Sequence, residues 1–115
     1  MKKESKIKVL RVKPCEYPEV IEIENTLEAL QREVGGSIQG LYPFEDMVTL
    51  ICDEEGEYNG AIPNRPLFDK DGRLYDIVLG TFLVIGIEPD DEEYHSLSNE
   101  LQEKYKKHFG RWLVL

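Results

Sequence analysis

The sequence predicts a single α+β domain, a mostly antiparallel or mixed sheet with two helices. Three observations carry that prediction. Short apolar segments with period-two alternation recur along the chain. Two other segments repeat their apolar residues every three to four positions. Glycines, prolines and Asp-Gly turns separate the segments. A length of 115 residues fits one hydrophobic core, and no repeat, low-complexity tract or Gly/Ser linker divides it. Leu, Ile, Val and Phe supply 34 of the 115 residues, enough to fold a chain in which 32% of residues are charged.

Ile7 to Val12 reads as a strand, and Pro14-Cys15-Glu16-Tyr17-Pro18 as the turn that follows. Glu19 to Glu24 alternates Ile21 and Ile23 with Glu22 and Glu24, the pattern of a half-buried strand closing a hairpin. Asn25 is placed to cap a helix, with Glu28 three residues on completing a capping box. Leu27, Leu30 and Val34 form its apolar face, and Gly35-Gly36 ends it. Ser37–Tyr42 is a short strand stopped by Pro43. Met47–Cys52 is apolar on both faces apart from Thr49, which predicts a central strand.

Asp53-Glu54-Glu55-Gly56 and Asp69-Lys70-Asp71-Gly72 read as two hairpin turns, each with a glycine at positive φ. Between them, Tyr58–Pro66 reads mostly as loop. Ile77–Ile87 reads as one or two buried strands bent at Gly80 and Gly86. A second helix starts near Ser96 or Ser98, carries Leu97, Leu101, Tyr105 and Phe109 on one line, and stops at Gly110. The first five elements have the ββαββ order of a β-grasp-like fold.

Charge divides the chain into three blocks. Residues 1–13 carry net +5, residues 14–103 net −18, and residues 104–115 net +4. The acidic block holds 22 carboxylates against Arg32, Arg65, Lys70 and Arg73. Such a body repels phosphates, which argues against nucleic-acid binding by it and favours a basic protein partner. The longest charge-free apolar run, Ile77 to Ile87, spans eleven residues, short of the ~20 of a membrane helix. The basic start lacks a signal-peptide core. No membrane association and a cytoplasmic setting are the expectation.

Cys15 and Cys52 lie in no CxxC or zinc-finger spacing, and His95 and His108 in no HxH or HExxH pattern. The Asp69-x-Asp71-Gly72 segment has its glycine fourth rather than sixth, so it reads as a turn and not a calcium loop. Asp90 to Glu93 is an acidic loop that attracts a divalent cation weakly at most. No metal, no cofactor and no catalytic residue is assigned, and no metal is expected to be needed for folding. No nucleophile, P-loop or dinucleotide signature supports an enzyme.

Two candidate sites remain. Asn64 and Arg65, with Asp76, form a candidate binding site. In a loop, the Arg65 fork suits a carboxylate or phosphate, while an ion pair with a neighbouring Asp or Glu explains the same residue structurally. Trp112, Leu113, Val114 and Leu115 form a candidate interface. Four large apolar side chains call for cover, either by the domain's own sheet or by a second copy in a homodimer.

Several stretches together carry a resemblance: Thr26–Gln31, Val34–Ile38, Tyr42–Asp46, Ile51–Gly56, Asn59-Gly60, Asn64-Arg65 and Asp76–Phe82. They resemble a small uncharacterised domain family of clostridial-type bacteria, phages, plasmids and conjugative elements, over most of residues 7–95. Many members of that family read Asn where this chain has Asp53 and Lys where it has Glu57. The resemblance implies an accessory protein of mobile DNA and transfers no catalytic residue. The expectation is therefore a non-enzymatic acidic interaction module. By analogy, one form such a module takes is a DNA mimic that blocks DNA-binding proteins. The alternative is a small-ligand-binding or enzymatic domain that uses the Asn64-Arg65 loop and Asp76.

Overall fold

The structure, a computed structural model, describes residues 4–110. In chain order it contains β1 (Lys6–Val12), β2 (Glu19–Glu24), α1 (Leu27–Val34), β3 (Ile38–Leu41), β4 (Val48–Asp53), β5 (Pro63–Phe68), β6 (Leu74–Leu79), β7 (Phe82–Gly86) and α2 (Asn99–Gly110). Five strands form a sheet in the order β2-β1-β7-β4-β3, and β5 with β6 forms a separate two-stranded sheet. All pairings are antiparallel. The architecture is α+β, as the sequence predicts.

Strand position follows side-chain chemistry. Every residue of β4 and β7 is buried, and these two apolar strands lie inside the sheet. The edge strands are β2, with exposed Glu19, Glu22 and Glu24, and β3, with exposed Gln39 and Gly40. Carboxylates along β2 discourage pairing with a further chain. The ββαββ order is present along the chain but does not by itself make the sheet. β7 enters between β1 and β4 and runs antiparallel to both, so the sheet is completed by a strand outside that ββαββ unit.

The sheet is covered on both faces. On one face Ile7, Val9, Ile51, Leu83 and Ile85 meet Leu30 and Val34 of α1. On the other, Leu10, Val12, Val48, Leu50, Cys52, Phe82 and Val84 meet Leu67 and Val78 of the small sheet and Tyr105 and Phe109 of α2. The alternation within β1, β4 and β7 serves these two cores separately.

Several local expectations change. The α1 cap is Thr26, whose Oγ1 accepts from the Ala29 amide at 3.1 Å. Asn25 is instead buried, and its Nδ2 donates to the carbonyls of Glu4 (2.9 Å) and Tyr94 (3.1 Å). Gly35 ends α1 at φ 90°, as predicted. The segment expected to be loop contains β5, despite Pro63 and Pro66. β5 pairs with β6 alone and its register shifts between Pro63 and Arg65, so missing amide donors are tolerated. Ile77–Ile87 splits at Gly80, φ 75°, into strands of two different sheets.

Gly72 holds φ 80° in the β5–β6 turn, but Gly56 does not take positive φ. Gly60, at φ 72°, does so in that region. Gly56 is buried, and a Cβ there would sit 3.3 Å from the Leu79 Cβ. The candidate interface Trp112–Leu115 lies outside the described residues.

Candidate functional site

The structure places Asn64 and Arg65 in the interior and Asp76 on the surface of β6. Arg65 is completely buried and Asn64 nearly so. The guanidinium donates through Nε to the Phe109 carbonyl (2.9 Å), through Nη1 to the Lys13 carbonyl (3.4 Å) and Asn64 Oδ1 (2.6 Å), and through Nη2 to the Glu16 carbonyl (2.6 Å). Asn64 Nδ2 donates in turn to the carbonyls of Val12 (2.9 Å) and Gly80 (2.8 Å). Cys15, at φ 62°, lies between Lys13 and Glu16 in the turn that turns these carbonyls inward. Burial pulls the Arg65 pKa down from its ordinary value. Among the described residues the partners of the guanidinium are all carbonyl oxygens. Asp76 is exposed on β6, and its Oδ1 accepts from the Ile77 amide at 2.7 Å.

A cavity of about 620 Å³ lies elsewhere, between the β3–β4 connection, the β5–β6 turn and α2. Pro43 ends β3 and turns Phe44 onto α2, where its ring lies 4.8 Å from Tyr105 and 5.6 Å from His108. Asp46 Oδ2 accepts from the Tyr105 hydroxyl at 2.7 Å and from Lys104 Nζ at 2.5 Å. These bonds hold the Asp46 carboxyl below its ordinary range, while burial and the Asp46 charge push the Tyr105 phenol up. Opposite, Asp69 Oδ1 accepts from the amides of Asp71 and Arg73, both at 2.9 Å, and shapes the turn that brings Phe68 and Lys70 to the wall. The cavity thus presents aromatic surface beside an ion pair. Its only trace in the sequence is the stripe through Tyr105. The meeting of Phe44 and the Asp69 turn across α2 is tertiary.

The carboxylates form the second feature. Among the described residues, the Lys and Arg that make ion pairs come from the basic blocks at the two ends: Arg11 with Glu19 and Glu33, Lys104 with Asp46, and Lys106 with Glu103. Arg32, Lys70 and Arg73 enter no ion pair within this set, and Arg65 is withdrawn into the interior. Exposed Glu54, Glu55 and Glu57 follow β4, and exposed Asp90, Glu92 and Glu93 follow β7. Both groups flank α1. Glu92 and Glu93 border a groove with Thr26 and Leu27 at its start. Asp53, which leads into the first group, packs beside Gly36 just past its end. Glu28, in the first turn of α1, is also exposed. No described helix is long and apolar enough to cross a membrane.

A family model described as a domain of unknown function (DUF3846) matches residues 7–110. The match reaches through α2, beyond residues 7–95, which carry the sequence resemblance. No curated protein and no solved structure matches the chain.

Proposed function

The chain belongs to the DUF3846 family of domains of unknown function, and from that premise we propose that it is a non-enzymatic interaction module whose acidic α1 side engages a basic protein. One observation carries the reading. The carboxylates on either side of α1 are exposed and lack cationic partners among the described residues, while of the basic residues of the body Arg65 is buried, Lys70 and Arg73 lie by the β5–β6 turn, and Arg32, exposed in the last turn of α1, is the one that shares this side. Unpaired carboxylates destabilise the compact state by mutual repulsion, and a basic surface relieves that repulsion on docking. Across the eight residues of α1, the two acidic groups are separated by roughly 12 Å or more. That span is within reach of the basic face of one partner. A DNA-binding protein, whose basic surface would meet these carboxylates in place of phosphates, is the partner class this charge suits.

The test pairs capture with charge reversal. The chain is used as bait at low and high salt, alongside Glu54→Lys/Glu55→Lys and Glu92→Lys/Glu93→Lys variants checked for folding by circular dichroism. A partner with a basic surface should be retained at low salt, released at high salt and lost by at least one variant. Capture indifferent to salt and to both variants overturns the reading.

The aromatic cavity supports a second reading, a small-ligand module. It rests on the cavity, not on Asn64 and Arg65, whose side chains are committed to the interior. A Phe44→Ala variant that keeps partner capture but loses binding of an aromatic probe would favour it.

A further inference from the structure

We propose that Glu88, Asp91 and His95 form a binding site for a borderline divalent metal ion of the zinc class. One ligand atom from each residue can be chosen so that all lie within 4.8 Å of one another. His95 Nε2 lies 3.0 Å and 3.2 Å from the two Asp91 carboxylate oxygens. Two donors that far apart subtend about 90° at an ion ~2.1 Å from each, the bond length of zinc to imidazole or carboxylate. Glu88 is exposed, and its flexible side chain supplies the remaining approach. One nitrogen and two carboxylates neutralise a divalent charge. That donor set suits zinc-like ions better than calcium or magnesium, which favour all-oxygen shells. Three protein ligands leave a position for water or a further group.

The imidazole is held from outside the trio. His95 exchanges both backbone hydrogen bonds with Gly86, at 2.8 and 3.0 Å. A Cβ at Gly86 would lie 2.7 Å from the Ser96 carbonyl oxygen, so only glycine allows this approach. The neighbouring residues are pinned as well, Tyr94 through Asn25 Nδ2 and Ser96 through the Lys8 amide on its Oγ. On the far side of the ring, Nδ1 lies 3.6 Å from Glu4 Oε2. That oxygen accepts from the Ser96 amide at 3.1 Å, and a small shift would let it also accept from Nδ1, the contact that orients a metal-binding histidine and fixes its tautomer. The spacing of Glu88, Asp91 and His95 matches no linear motif. The loop after β7 folds back onto that strand, and this brings them together.

The test is calorimetric titration of the full chain with Zn²⁺, with Ca²⁺ in parallel, at neutral pH in a non-chelating buffer. One equivalent of Zn²⁺ should bind, and Ca²⁺ should bind at least tenfold more weakly. His95→Asn and Glu88→Gln should each weaken Zn²⁺ by about tenfold or more, whereas Cys15→Ser should leave it unchanged. Co²⁺ should give a visible ligand-field band that His95→Asn removes. Glu88 is exposed, so its variant reports on the site even if His95→Asn fails to fold. Absence of Zn²⁺ binding up to about 1 mM, binding that Glu88→Gln leaves intact, or binding lost in Cys15→Ser overturns the proposal.

Discussion

Replacing Arg65 tests whether this arginine is a structural tie. Its guanidinium joins the β1–β2 turn, through the carbonyls of Lys13 and Glu16, to the last turn of α2, through the carbonyl of Phe109. Arg65→Ala removes every donor at once and leaves buried acceptors unpaired around a cavity. A hydrogen bond to a charged group contributes about 1.5–3 kcal/mol, and an orphaned buried acceptor costs about 1–3 kcal/mol. These terms overlap and local water can recover part of them, so the expected net loss is about 3–5 kcal/mol. For a domain of 115 residues that corresponds to a fall in Tm of about 10–20 °C. Arg65→Lys keeps the charge but offers a single point of donors in place of a fork, and should cost about 2 kcal/mol. The assay is urea unfolding followed by circular dichroism, with hydrogen exchange on residues 13–17 as a local readout. If Arg65→Ala lies within about 1 kcal/mol of the native chain and the turn keeps its protection, the tie is not structural and the reasoning fails.

The two thiols should separate by reactivity: Cys15 is exposed, whereas burial, with the charges of Asp76 and Asp53, pushes the Cys52 thiol up to about 11. With Ellman's reagent near pH 8, Cys15 should react at once and Cys52 only on unfolding, and equal rates would contradict that burial. Gly86→Ala should cost about 2–3 kcal/mol by overpacking, since its Cβ would meet backbone at 2.7 Å. Gly72→Ala, at φ 80° with open space around it, should cost only about 1 kcal/mol, so the reverse ranking in thermal melts would refute this account. Asp46 titrates below its ordinary 3.8 because Lys104 and then Tyr105 donate to it. Its contribution is therefore present above the unfolded value and lost as pH falls through the lower folded value. Acid unfolding followed by fluorescence should show Asp46→Asn less stable near neutral pH, with the gap from the native chain closing below about pH 4. A gap constant with pH would remove Asp46 from the linkage.

Much of the local structure was legible because it depends on neighbours in sequence. Period-two alternation marked β1 and β2, the unbroken apolar run marked β4, and Gly35 and Gly72 announced their left-handed turns. The four-residue spacing of Leu101, Tyr105 and Phe109 marked α2 and its buried face, whereas Leu97, expected on the same helix, is buried just before its start at Asn99. The charge blocks likewise follow from composition and order alone. Other features came from residues distant in the chain. Asn25 looked like a cap, but Glu4 and Tyr94 offered its amide better partners, and Thr26 took the cap. Two prolines argued against a strand at β5, and only its exclusive pairing with β6 explains why one forms. No local pattern reports that β7 enters between β1 and β4, since sheet order depends on which faces can be buried together. Arg65 shows the same division most sharply. Its rarity in an acidic stretch was visible in the sequence. Its role depends on three carbonyls from segments 44 to 52 positions away, and those converge only once the chain has folded, because hydrogen-bond geometry is set in space and not along the sequence.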